Sequence, residues 1–213
     1  MAKAVLFDFW GTLVENGTYS PLRQTYNILR VRMRFSDFVV KTEKVLMTKK
    51  YEDQTTAFTD LCKAFNLNLK QFVIDKLIGV WNKNKLLAKP YSETVQVLEE
   101  LKKKGYKLAI VSNCPNDSVE PVIEKFELGK YFDAILLSWE TGYLKTDKEM
   151  FAEAMKKLKI RKKDNVLMVG DSIPTDIEGA KNAGIKAVLV DRKDSRDFPD
   201  KIKDLTELKD ILK

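Results

Sequence analysis

Asp8 stands at the tip of an apolar run in VLFDFWGTL and opens a set of four polar clusters that could do chemistry. The chain turns at Gly11-Thr12 just beyond it, and a carboxylate that ends a buried run needs a partner. Ser112-Asn113 closes a second run, AIVSN, and Gly170-Asp171-Ser172, with Asp176 beyond, closes a third, NVLMVGDS. The fourth cluster is ETGYLKTD, which follows the run DAILLS and carries Lys145. Each has an ordinary reading by itself: Ser112-Asn113 as a strand-to-helix cap, Lys145 as a surface lysine, Asp171-Ser172 as a helix N-cap. Their conjunction at successive run ends is what points to a site. Two aspartates at one edge repel each other without a cation, and their hard oxygens suit a divalent metal.

Composition narrows the chemistry further. The chain has no histidine, which removes imidazole acid/base catalysis, Ser-His-Asp and Cys-His chemistry, and His-ligated metals. Carboxylates, lysine, hydroxyls, backbone amides or an oxygen-ligated metal remain. Cys62 and Cys114 lie far apart in no CxxC pattern, against a disulfide scaffold or a zinc site. The net charge of +7 raises the question of nucleic acid. The basic residues, however, sit beside acids in helical text such as EELKKKG and EAMKKLKIRKKD, the pattern of a solvated face. A small anionic molecule is the expected partner, with no nucleic acid and no membrane. The Met-Ala-Lys start lacks an apolar leader and no apolar run approaches membrane-spanning length, so a soluble cytoplasmic protein, monomer or homodimer, is expected.

These residues must be positioned by a scaffold. With 213 residues, 44% of them hydrophobic, the chain can build one sizeable core, or a core with a smaller inserted domain. Apolar runs at 3–9, 107–113, 133–138, 165–171 and 186–191 are rich in Val, Ile and Leu without clean alternation, as expected of parallel strands covered on both faces. Helical patterns at 92–105, with a Ser cap and a closing Gly, and at 117–129, 147–160 and 174–184 alternate with them. The spacing predicts an α/β fold, a doubly wound, Rossmann-like parallel sheet. From about 18 to 88 the text is amphipathic helix with no convincing strand. It reads as an insertion, a lid over the crevice beyond the strand ends. The expected division is 1–16 and 89–213 as the core domain and 17–88 as the helical cap. Phe58, Phe65, Phe72 and Trp81 are expected to form the cap's own small core.

With the motifs quoted, the chain resembles the haloacid dehalogenase-like hydrolase superfamily over essentially its whole length. Its first motif, a nucleophilic aspartate followed by x-x-G-T-L/V, is matched by Asp8 through Leu13. The second, a Ser or Thr ending a strand, is matched by Ser112. The third, a lysine usually in G-x-x-K-P, is matched by Gly142 through Thr146, with Thr146 in place of the proline. The fourth, G-D-S/T-x-x-x-D, is matched by Gly170 through Asp176. The 17–88 insert resembles the family's helical cap.

The resemblance implies Mg2+ held by Asp8, Asp171 and the backbone carbonyl of Trp10. It implies Asp8 as nucleophile, supported by Thr12, with Lys145 neutralising charge and Ser112, Gly11 and Asn113 meeting the substrate. Ser172 and Asp176 would support them, Asp176 by orienting Lys145 or a metal-bound water. The physics agrees. A carboxylate attacking a phosphate dianion meets like charge, roughly 4 kcal/mol per unit pair at about 4 Å and an effective dielectric near 20.

Trp10 departs from the phosphatase pattern. Family phosphatases carry a second aspartate two residues after the nucleophile, to protonate the leaving alkoxide and then activate water; an indole cannot do this. The loss is worth about 10²–10⁴ in rate. The implied function is a magnesium-dependent phosphatase acting on a small phosphorylated metabolite through an aspartyl-phosphate. A 2-haloacid dehalogenase is the alternative, because that branch places an aromatic residue here and expels halide without acid or metal. It would need a cap arginine, for which Arg30, Arg32 and Arg34 are candidates. Phosphonate cleavage, with Lys41, Lys44, Lys49 or Lys50 forming a Schiff base, and a non-catalytic binding protein with relic motifs are the remaining readings.

Overall fold

A computed structural model describes residues 3–212. The chain opens with β1 (Ala4–Phe7) and β2 (Val14–Glu15). Four helices follow: α1 (Pro21–Leu29), α2 (Phe35–Leu46), α3 (Gln54–Ala64) and α4 (Gln71–Leu87). After them come β3 (Lys89–Pro90), α5 (Thr94–Lys103), β4 (Lys107–Ser112), α6 (Glu120–Lys125) and β5 (Ala134–Leu137). The remainder is α7 (Ser138–Thr141), α8 (Lys148–Lys157), β6 (Val166–Gly170), α9 (Glu178–Asn182), β7 (Lys186–Val190), β8 (Lys201–Ile202) and α10 (Leu208–Ile211).

Six strands form one parallel sheet in the order β5-β4-β1-β6-β7-β8. β1 lies between β4 and β6, with Phe7 opposite Ile110 on one side and Val169 on the other. Val5 and Phe7 pack into one face with Ile110 and Val169, while Ala4 and Leu6 pack into the other with Val111 and Met168. Both faces are dry, which is why these runs show no polar alternation in the sequence. Each fully buried Leu or Phe contributes roughly 1.5–3 kcal/mol. The five expected strands are all present. β8 was not anticipated, since two residues carry no readable periodicity. The expected Ser cap at the 92–105 helix is corrected: Glu93 occupies the N-cap without a side-chain cap bond, and the Ser92 hydroxyl turns to Glu93 instead. Gly105 does close that helix, at φ +81°.

α1–α4 are inserted between β2 and β3, which pair antiparallel as a short ribbon, Val14 opposite Pro90 and Glu15 opposite Lys89. Gly17 follows the ribbon so closely against the end of α4 that a Cβ there would overlap the backbone of Asn84, Leu87 and Ala88. The inserted helices have a hydrophobic cluster of their own around Phe38, Phe58, Leu61 and Leu77, with Phe65 and Trp81 packed against it. Phe72 is the exception and corrects the expectation: it is 67% exposed. Ile74 and Leu77 define the buried face of α4. Phe72 precedes Ile74 by two residues, or about 200° of helix, and so points away.

Candidate functional site

The parallel sheet delivers its polar clusters to one edge. Asp8 follows β1, and its backbone N–H donates to the Val169 carbonyl at 2.9 Å, which continues the sheet pairing one residue past the strand. Gly11 then adopts φ +82°, and a Cβ at that position would overlap the Asp171 carboxylate. Glycine is required there on both counts. The Thr12 hydroxyl donates to Asp8 Oδ2 at 3.3 Å. Trp10 is half-buried, its ring edge-on to Phe9 with centroids 5.1 Å apart.

Lys145 is the electrostatic centre. It is buried, and its Nζ lies 2.6 Å from Asp8 Oδ1 and 2.5 Å from Asp176 Oδ1. Burial alone would lower the ammonium pKa; Asp176 and then Asp8 outweigh it and hold the group above the ordinary lysine range. Burial pushes the Asp8 carboxyl up to about 6 although Lys145 pulls the other way. Burial, and then the charges of Asp8 and Asp176, push Asp171 up to about 7. Oxygens of Asp8, Asp171 and Asp176 all lie within 4.8 Å of one another. Three acids, two buried and one half-buried, against Lys145 and the Arg196 charge acting on Asp171 still leave a negative excess, and a hard divalent cation on Asp8 and Asp171 fits it.

The remaining expected residues fall around this centre. Ser112 ends β4 fully buried, and its hydroxyl has no hydrogen-bond partner. Asn113 accepts the Lys145 backbone N–H on Oδ1 at 2.8 Å. The Ser172 backbone N–H donates to Asp176 Oδ2 at 2.9 Å, which ties the two supporting residues together. A cavity of about 260 Å³ opens above Asp8, Trp10, Lys145 and Asp171, with the inserted helices as its far wall.

That far wall carries what sequence reasoning missed. Val39 and Glu43 of α2, with Met47 at its C-cap, form one stripe at i, i+4 and i+8 that faces the cavity beside Trp81, Asn84 and Lys85 of α4. The Glu43 carboxylate accepts from Asn113 Nδ2 at 3.2 Å, and burial pushes it up to about 6. The signal was a lone acid in an otherwise apolar stripe. Two arginines also went unread: Arg192 donates to the Thr12 carbonyl at 2.8 Å, and Arg196 to the Asp171 carbonyl. Both follow β7, whose run ends in an acid, Asp191, as β1's does; Asp191 accepts the Arg196 backbone N–H at 2.7 Å. Arg30, Arg32 and Arg34 are all exposed, and no arginine lines the cavity among the described residues. Lys41, Lys44, Lys49 and Lys50 do not line it either. Cys62 and Cys114 are buried and unpaired with each other. No described helix is long and apolar enough to cross a membrane.

The sequence model of the family described as haloacid dehalogenase-like hydrolase matches residues 5–190. A glyceraldehyde 3-phosphate phosphatase of Methanothermobacter thermautotrophicus is 28% identical over 100% of both chains. Among solved structures, a phosphatase of this family from Thermococcus onnurineus superposes with TM-score 0.65 at 27% identity, covering 99% of this chain and 97% of that one. A 2-haloacid dehalogenase from Pseudomonas syringae superposes with TM-score 0.67 at 21% identity over 100% and 98%, a likeness of fold alone.

Proposed function

The chain belongs to the haloacid dehalogenase-like hydrolases, and within that family we propose a magnesium-dependent phosphatase that acts on a small phosphorylated metabolite through an aspartyl-phosphate on Asp8. The observation that carries this reading is the triplet of convergent carboxylates, buried Asp8 and Asp176 and half-buried Asp171, faced by Lys145 and by the Arg196 charge that acts on Asp171. Such an excess of negative charge is costly without a cation. Asp8, Asp171 and the Trp10 carbonyl would hold the ion, which supplies charge neutralisation for an anionic ester. The phosphatases among the relatives support the same choice. The cavity volume suits a metabolite smaller than a drug-sized ligand.

In this mechanism an Asp8 oxygen attacks phosphorus. Lys145, clamped between Asp8 and Asp176, keeps a positive charge beside the nucleophile as negative charge gathers on the phosphoryl oxygens. Thr12 orients the carboxylate through Oδ2. The unpartnered Ser112 hydroxyl offers a donor to the phosphoryl group, and Gly11 lets the chain approach it. Asn113 fixes Lys145 through its backbone N–H. The division into a core of 1–16 and 89–213 and a cap of 17–88, and a cytoplasmic location, belong to the same reading.

Turnover of p-nitrophenyl phosphate and glyceraldehyde 3-phosphate by the purified protein tests it. Activity should require Mg2+ and fall at least about 10⁴-fold in Asp8→Asn. Activity that survives EDTA, or is equal in that variant, overturns it. Trp10 favours a second reading, a 2-haloacid dehalogenase, and chloride release from 2-chloropropionate in EDTA would establish that instead. Against it stand Arg30, Arg32 and Arg34, all exposed and outside the cavity lining.

A further inference from the structure

An acyl-phosphate mechanism needs a proton for the leaving oxygen and a base for the incoming water, and Trp10 can supply neither. We propose that Glu43, on the cap helix α2, is the acid/base residue of this site, transferring both protons from the wall opposite the nucleophile. The inference rests on the phosphatase reading above and adds a catalytic residue to it.

Three acids line the cavity: Asp8, Asp171 and Glu43. The first two belong to the carboxylate cluster at the strand tips. Lys145 is committed to Asp8 and Asp176, and Lys85 donates to the Asp117 carbonyl at 2.8 Å. Glu43 alone is free to exchange a proton with a ligand. One of its oxygens, Oε2, accepts from Asn113 Nδ2, while Oε1 has no protein partner among the described residues. The Asn113 amide is not free to flip, because Oδ1 is engaged by the Lys145 N–H. One side chain therefore registers the acid against the lysine that positions the nucleophile. The raised Glu43 pKa noted above, set by burial and opposed by Lys145, supports the assignment, since an acid/base group works best near the operating pH.

The steps balance. Asp8 oxygen bonds to phosphorus, the ester P–O bond breaks, and the Glu43 proton passes to the departing alkoxide. Glu43 carboxylate then takes a proton from water as the water oxygen bonds to phosphorus and the bond to Asp8 breaks. Inorganic phosphate leaves, and both acids return to their starting states.

Glu43→Gln keeps an acceptor for Asn113 and removes only the proton chemistry. Its turnover of alkyl phosphates should fall about 10²–10⁴-fold. With p-nitrophenyl phosphate, whose leaving group needs no proton, the first step should survive and the second should stall. Rapid mixing should then show a burst of close to one p-nitrophenolate per enzyme before a slow steady state. Alkyl turnover within about threefold of wild type overturns the assignment. Equal losses on both esters with no burst also overturn it, because they show a purely structural role acting through Asn113. A wild-type protein that hydrolyses neither ester removes the phosphatase reading itself, and this inference with it; an active wild type beside an unaffected variant removes the Glu43 assignment alone.

Discussion

On the sheet side of the cavity, Asp8, Asp176 and Lys145 are buried charges beyond strand ends, locked to one another by ion pairs, with half-buried Asp171 beside them. On the cap side, Glu43 projects from α2, and the inserted helices meet the core through scattered ties: Asn113 on the Glu43 carboxylate, Lys85 on the Asp117 carbonyl, and Leu144 packed into the cap cluster. Beside the Asn113 contact, Tyr51 and Asn116 exchange a pair at 3.1 and 3.2 Å. Each such bond is worth only about 0.5–1.5 kcal/mol net. The nucleophilic half is therefore held by a buried ion-pair cluster, and the half that carries Glu43 by scattered and individually weaker ties. A site divided in this way can open for exchange without disturbing the charges that are hardest to assemble.

Removing the fixed half's central charge should have the largest effect. Lys145→Ala leaves Asp8 and Asp176 buried without a counter-charge, and should destabilise the metal-free protein by about 3–5 kcal/mol at pH 7. Protonation relieves stranded carboxylates, and without Lys145 the Asp8 carboxyl sits higher than the value of about 6 it has beside the lysine, so the deficit should shrink as the pH falls toward about 6 and level off below it. Denaturant midpoints of both proteins at pH 7 and pH 5 check this. A deficit independent of pH would mean that the charges are not what the lysine contributes. The next prediction moves the acid from one wall to the other. Trp10→Asp in the Glu43→Gln background should recover alkyl-phosphate turnover by about 10²-fold, read as kcat. No recovery would show that the cap carboxylate does more than carry a proton. The smallest effect belongs to the cap surface: Phe72→Ser should leave the thermal midpoint and kcat nearly unchanged, within about 0.5 kcal/mol, because the ring packs against nothing that folds with it. A larger loss would place Phe72 in a contact its exposure denies.

The same contrast governs what could be read from the sequence. Asp8, Ser112 and Asp171 were legible because buried parallel strands appear as uninterrupted apolar runs, so the polar residue at each end stands out. Lys145 and Asp176, farther past their strands, were legible only through the motif resemblance. β2, β3 and β8 were not, since two residues cannot display a period. Glu43 was hidden for another reason. It lies in TEKVLMTKK among lysines, where a carboxylate looks solvated, and only the turn-by-turn alignment of Val39, Glu43 and Met47 puts it indoors. Phe72 misleads in the opposite direction: an aromatic residue in amphipathic text suggests core, while its helical phase puts it outside. Arg192 and Arg196 act on backbone carbonyls of the first and fourth motif loops, contacts between distant segments that no local pattern encodes.

The ribbon of β2 and β3 gives this division a temporal order. Both connections to the inserted helices run through one two-stranded strap, so a swing of those helices about it would carry Glu43 along. If the alcohol product left by that swing, the group that would activate water would leave with it, and a phosphorylated Asp8 would wait, chemically idle, until the helices returned.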